Sequence, residues 1–160
     1  MSSNINDFSK PHLPTNKTGI FSGERGNSAF VPNNRQARET LSSFGADHVD
    51  YVNGYPDFSP FTSIRDEKLG KIDGTVQIGH MTTNRHNPHY EYGQRSDSHA
   101  PEEDLGNFAQ ADNELAKDLN AQNGTDLTGK DIQEMRQRNN LTWHEVQDGV
   151  TMQLVPTQIH

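Results

Sequence analysis

The sequence predicts a small α+β domain, and three observations carry that expectation. Short apolar clusters broken by Gly, Pro and Asn fill residues 19–60, two stretches have helical periodicity near 107–120 and 130–139, and two strand-like runs close the chain. A length of 160 residues fits one domain. Only 29% of residues are apolar against 13 Gly and 8 Pro, so the core must be small and the loop content high.

Residues 1–18, with two prolines and several Ser and Asn, read as a disordered tail or linker remnant, which leaves residues 19–160 as the folded domain. Ile20-Phe21, Phe30-Val31 and Val49 to Val52 read as short strands separated by turns. Between them Ala37, Leu41 and Phe44 fall at near-helical spacing behind Asn33 or Asn34 as a cap. The aromatic, proline-rich run Pro56 to Phe61 is expected to pack against Lys71 to Met81, where Thr75-Val76-Gln77-Ile78 alternates as a half-buried strand does. From His80 to Pro101 no periodicity is visible, and His80, His86, His89 and His99 read as loop residues because no regular element holds them together.

Asn107 to Asn120 forms one apolar stripe of Phe108, Ala111, Leu115 and Leu119, with Gln110, Asp112, Glu114 and Lys117 facing mostly away. The acidic Glu102, Glu103 and Asp104 lead into its N-terminus, where negative charge is favourable. A second helix runs from about Lys130 to Asn139, capped by Thr128 with Asp131 three positions on. Leu141 to Gln147 and Val150 to Pro156 then form a hairpin across a two-residue Asp148-Gly149 turn, and Pro156 hands over to a helix start at which Thr157 can cap. Trp143, the only tryptophan, reads as a core anchor.

Several function classes are excluded by composition. Without cysteine there are no disulfides, thiolate metal sites or thiol nucleophiles, so metal ligands come from His, Asp, Glu and Asn. The same lack suits a protein that crosses redox compartments. No apolar run is long enough for a membrane helix, and the polar N-terminus does not read as a signal peptide, so no membrane insertion is expected. A net charge of −8 weighs against a broad phosphate-binding surface, leaving a local cationic patch or a bound cation to attract phosphate.

The order strand, turn, strand, helix start brings His144 and His160 together although they are distant in sequence. Two imidazoles can fix one divalent ion, and a neighbouring base can activate water; His144 and Glu145 can divide the base and ligand roles either way. Arg136 and Arg138, just before the hairpin, are the nearest candidate substrate-binding cations, and Arg85, after Met81-Thr-Thr-Asn, is a further candidate phosphate contact or a surface ion-pair partner.

The stretch LTWHEVQDGVTMQLVPTQIH (Leu141 to His160) resembles the HNH/endonuclease VII superfamily nuclease toxins of the Trp-His-His or Trp-His-Glu type. GERGNSAFVPNN, NGYPDFSPF, VQIGHMTTNR, NFAQAD and MRQRNNLTW resemble that family in the same order, so the likeness spans about Gly19 to His160. The resemblance implies a C-terminal ββα-metal (His-Me finger) unit with at least two further helices. It implies a metal-dependent endonuclease using one divalent ion (Mg, Mn, Ni or Zn), with DNA favoured over RNA, carried as the C-terminal module of a secreted polymorphic toxin. Such a module acts in the target-cell cytoplasm and is neutralised by a cognate immunity protein. By position His144 matches the first-strand His and His160 the first helical His of the metal site, and Glu145 takes the place of a second His. Family members continue past Ile-His to another His about one turn later, so a chain ending at His160 is expected to have an incomplete metal site. The competing expectation is a truncated or catalytically inactive module that only binds an immunity protein.

Overall fold

A computed structural model of the chain describes residues 11–79, Met81 and residues 106–160. Its fold is α+β, as the sequence predicts: nine short strands and three α-helices among the described residues. The first sheet is antiparallel in the order β1 (Gly19–Phe21), β2 (Ala29–Pro32), β3 (Val49–Val52), β4 (Tyr55–Asp57). Alternation places Phe21, Phe30 and Tyr51 on one face, where their rings cluster with centroids 5.1 to 6.2 Å apart. Asn53 and Gly54 turn β3 into β4 with φ of 53° and 90°, the left-handed pair that a two-residue hairpin requires. Of the expected tail, the described part includes Leu13, whose side chain lies over Gly26.

Helix α1 (Arg35–Ser43) connects β2 to β3; Asn34 caps it by accepting from the Ala37 N–H, and Ala37 and Leu41 face the core. β5 (Ser63–Asp66) and β6 (Gly70–Asp73) form a separate hairpin. β7 (Thr75–Gln77) joins β8 (Leu141–Glu145) and β9 (Thr151–Pro156) in a three-stranded sheet ordered β7-β9-β8.

Helix α2 (Asn107–Asn123) runs about one turn beyond the predicted end and stops at Gly124, whose φ of 66° gives the left-handed C-terminal residue that glycine accommodates. The apolar stripe is as expected, but Gln110 and Asp112 do not face away: they are 3% and 0% exposed. Both lie at the edge of the stripe, and residues of α3 and β8 close over Asp112. Helix α3 (Gly129–Arg138) begins with a complete capping box of Thr128 and Asp131.

The core divides in two. The larger part packs Leu115, Leu119, Ile132, Met135, Trp143, Met152 and Leu154 with Ile72, Val76 and Ile78. Burying each of these large side chains contributes about 1.5–3 kcal/mol. The smaller part gathers Leu41, Val49, Phe58, Phe61 and Val155. Phe58 and Phe61 pack with α1 and β9 in the smaller cluster, while Ile72, Val76 and Ile78 belong to the larger one; the two segments meet where the Gly74 N–H donates to the Thr62 carbonyl at 2.9 Å.

The final hairpin is centred on Asp148-Gly149, but its loop spans residues 147–150 rather than two residues. Val146 donates to the Thr151 carbonyl, Gly149 donates back to Val146, and Gly149 takes a φ of 83°. The Asp148 carboxylate selects this longer loop by accepting from the N–H groups of Val150 and Thr151 and from the Thr151 hydroxyl. After Pro156 comes a single 3-10 turn, Thr157–Ile159, with no side-chain cap; the Thr157 N–H instead donates to the Asn140 carbonyl at 2.9 Å.

Candidate active site

The pairing of β8 with β9 fixes the site. Trp143 faces Leu154 and Glu145 faces Met152, while His144 faces Gln153 between them. Successive side chains leave a strand on opposite faces, so His144 points away from the face that carries Trp143 and Glu145. Neighbours on the two faces agree with this. His144 meets Phe58 and His160, whereas Glu145 and Trp143 meet α2.

On the His144 face, the 3-10 turn after Pro156 returns the chain so that His160 Nε2 lies 3.2 Å from His144 Nδ1. Phe58 supports both rings, edge-on to His144 at 4.7 Å and tilted against His160 at 5.7 Å. Burial among these rings lowers the basicity of His144, with the His160 charge adding to the effect, down to a pKa of about 3. Burial lowers His160 as well. Both imidazoles are therefore neutral at pH 7, the form that offers a lone pair to a cation.

That donor set suits a divalent ion. Two nitrogens bound to one tetrahedral zinc at about 2.05 Å lie about 3.3 Å apart, close to the 3.2 Å separation of the imidazole nitrogens. Among the described residues no group of three or more His, Asp or Glu converges at one point.

On the other face, the Glu145 carboxylate accepts from Asn107 Nδ2 at 2.6 Å, at the first residue of α2. Deeper in, Asp112 takes a bidentate pair from Arg136 at 2.8 and 2.7 Å and a third bond from the Trp143 indole N–H at 2.8 Å. Burial raises the Asp112 pKa, and the Arg136 and Trp143 hydrogen bonds oppose that shift. Arg136 also lies over the Phe108 ring at 5.6 Å. Arg138 pairs with Asp66, which Asn139 and the N–H groups of Lys68 and Leu69 also bind.

Of the residues singled out by sequence, His144 and His160 meet directly, Glu145 lies on the opposite face of the same strand, and Arg136 and Arg138 are held by buried carboxylates. Arg85, the histidines at 80, 86, 89 and 99, and the acidic residues 102–104 lie outside the described residues. Sequence reasoning did not identify Asn107 or Asp112. The signals for them were a polar residue at the margin of the α2 stripe and the family-like motif NFAQAD, which begins at Asn107 and ends at Asp112.

The profile of a known family, described as the DNase/tRNase domain of colicin-like bacteriocin, matches residues 48–160. The chain belongs to this family. It is thus a nuclease toxin domain, and His144, Glu145, Asn107 and His160 all lie within the matched span. No individual curated protein and no solved structure matches the chain. Among the described residues of this bacteriocin domain no helix is long and apolar enough to cross a membrane.

Proposed function

We propose that this bacteriocin domain is a metal-dependent endonuclease of the HNH type that hydrolyses phosphodiester bonds of DNA. In this reading it is the C-terminal module of a secreted polymorphic toxin, acts in the cytoplasm of target bacteria and is neutralised by a cognate immunity protein. The observation that carries the chemistry is the 3.2 Å approach of His144 Nδ1 and His160 Nε2. These two neutral imidazoles would hold one divalent ion, Mg, Mn, Ni or Zn. Such an ion polarises the phosphate and stabilises the leaving oxygen.

Glu145 is the base that accepts the proton of the attacking water, and His144 is the ligand. Their opposite orientation on one strand end suits an in-line displacement, in which attacking and leaving oxygens lie on opposite sides of phosphorus. A phosphate seated over the end of β8 would meet the imidazole pair on one side and the carboxylate on the other. Arg85 is proposed as a phosphate contact. Arg136 and Arg138 are ion-paired with Asp112 and Asp66 and act as supports of the fold rather than as free phosphate donors.

The test is calorimetric titration with Zn²⁺ and Ni²⁺ alongside plasmid cleavage in Mg²⁺, Mn²⁺, Ni²⁺ and Zn²⁺, comparing the wild type with His144→Ala and His160→Ala. Each substitution is expected to weaken ion binding at least ~10-fold and to lower cleavage by about 10² or more, with little change in thermal stability. Wild-type cleavage by His144→Ala overturns the reading. A wild-type chain inert in every metal that still captures an immunity protein favours the inactive binding module instead.

A further inference from the structure

Asn107 is the first residue of α2 and is completely buried, and its side-chain amide donates to Glu145 Oε2 at 2.6 Å across 38 residues of sequence. The capping position belongs to Gly106, which makes no side-chain cap bond, so the Asn107–Glu145 bond is not the helix's own cap. Asparagine is a weaker helix former than alanine, and a buried amide is unfavourable unless it is hydrogen-bonded. An amide here therefore costs helix propensity and directs a donor at the strand end that carries the proposed base. Only a neutral donor suits that place, because an aspartate would set two carboxylates against each other.

We propose that Asn107 is a positioning residue that holds the Glu145 carboxylate in one orientation for attack on the phosphodiester substrate. This rests on the proposed role of Glu145 as the base. Glutamate at a strand end has three rotatable side-chain bonds, and only a fraction of its rotamers bring an oxygen to an attacking water. The amide fixes one oxygen and thereby sets the direction of the other. Because α2 is packed along its length through Leu115 and Leu119, the amide itself rides on a rigid support.

The experiment is steady-state cleavage of a DNA duplex in Mg²⁺ by the full chain, with Asn107→Ala, Asn107→Asp, Glu145→Ala and the double variant Asn107→Ala/Glu145→Ala, together with Zn²⁺ calorimetry. Asn107→Ala is expected to lower kcat by about 10- to 100-fold with KM and Zn²⁺ affinity within about twofold, as loss of alignment rather than of binding requires. Asn107→Asp conserves volume but sets a second carboxylate against Glu145, so it is expected to lose at least as much kcat, with a thermal melt recording any loss of fold. In the Glu145→Ala background the Asn107 substitution is expected to change kcat no further. Unchanged kcat in both Asn107 variants, with Glu145→Ala inactive, overturns the positioning role, as does a fully multiplicative loss in the double variant. Wild-type cleavage by Glu145→Ala removes the base assignment instead, a distinct outcome.

Discussion

On one face of β8, Trp143 is 1% exposed and bonded to an Asp112 that is itself bound twice by Arg136; on the other, His144 Nδ1 and His160 Nε2 meet at hydrogen-bond distance over Phe58. Asp112 is fully buried, whereas His144 is partly exposed and His160 exposed, and the two faces satisfy their polar groups differently. On the packed face each charge has an opposite charge or a donor, and the arrangement holds α2, α3 and the sheet together. On the imidazole face two rings of lowered basicity meet through one nitrogen–nitrogen hydrogen bond and the Phe58 ring. One strand, by the twofold period of its side chains, thus directs Trp143 and Glu145 against α2 and His144 towards His160 and Phe58.

The largest effect that would sharpen this contrast is expected at Asp112. Asp112→Ala leaves the Arg136 guanidinium, only 11% exposed, without its partner. Removing one member of a buried pair costs about 3–5 kcal/mol, so urea unfolding should shift strongly while His160→Ala stays within ~1 kcal/mol of wild type. If instead Asp112→Ala unfolds at the wild-type midpoint, the division between the two faces is wrong.

A smaller effect, visible through pH, is expected at Asp66. Hydrogen bonds from Arg138 first, then from Asn139 and two backbone N–H groups, hold its carboxyl well below the usual carboxylate range against the opposing effect of burial. A depressed folded pKa gives stability that is fully present above the unfolded value of about 3.9 and is lost as pH falls towards the folded value. Wild-type unfolding free energy should therefore decline below about pH 4. Asp66→Asn should cost about 1–3 kcal/mol at pH 7 and flatten that decline; an equally steep acid limb in the variant would assign the dependence elsewhere.

The smallest effect is expected at the start of α3. Thr128→Ala removes one half of the α3 capping box and should cost about 1 kcal/mol by chemical denaturation, with cleavage unchanged. A loss of cleavage there would mean that α3 stability is coupled to the imidazole face.

The readable parts of this molecule are those written in local sequence. Asn34 before Ala37 and Leu41, and Thr128 before Asp131, specify their helix starts within four residues, and both caps form. The meeting of His144 with His160 follows from the order of strand, loop, strand and Pro156, each of which acts on its neighbours. What could not be read depends on partners far along the chain. An aspartate beside an apolar stripe looks solvent-facing until Arg136 and Trp143, 24 and 31 residues away, are seen to close over it. Likewise the bond from Asn107 to Glu145 has no local trace. Asp-Gly marked the centre of the last hairpin, but the loop length was decided by the Asp148 carboxylate taking two backbone donors, which a dipeptide preference does not reveal.

The place of β7 at the edge of the β7-β9-β8 sheet has a kinetic consequence. Pairing Gln77 with Thr151 closes a loop roughly ten times longer than pairing Glu145 with Met152, an added entropic cost of about 2 kcal/mol for a flexible chain. The β8–β9 hairpin and its neighbouring α3 can form early from nearby contacts, whereas β7 and the Phe58 segment must arrive from the far end of the sequence. The imidazole pair gains its supporting ring only with that late arrival. In a refolding chain the secondary structure of the C-terminal unit therefore precedes the packing of Phe58 against its two histidines.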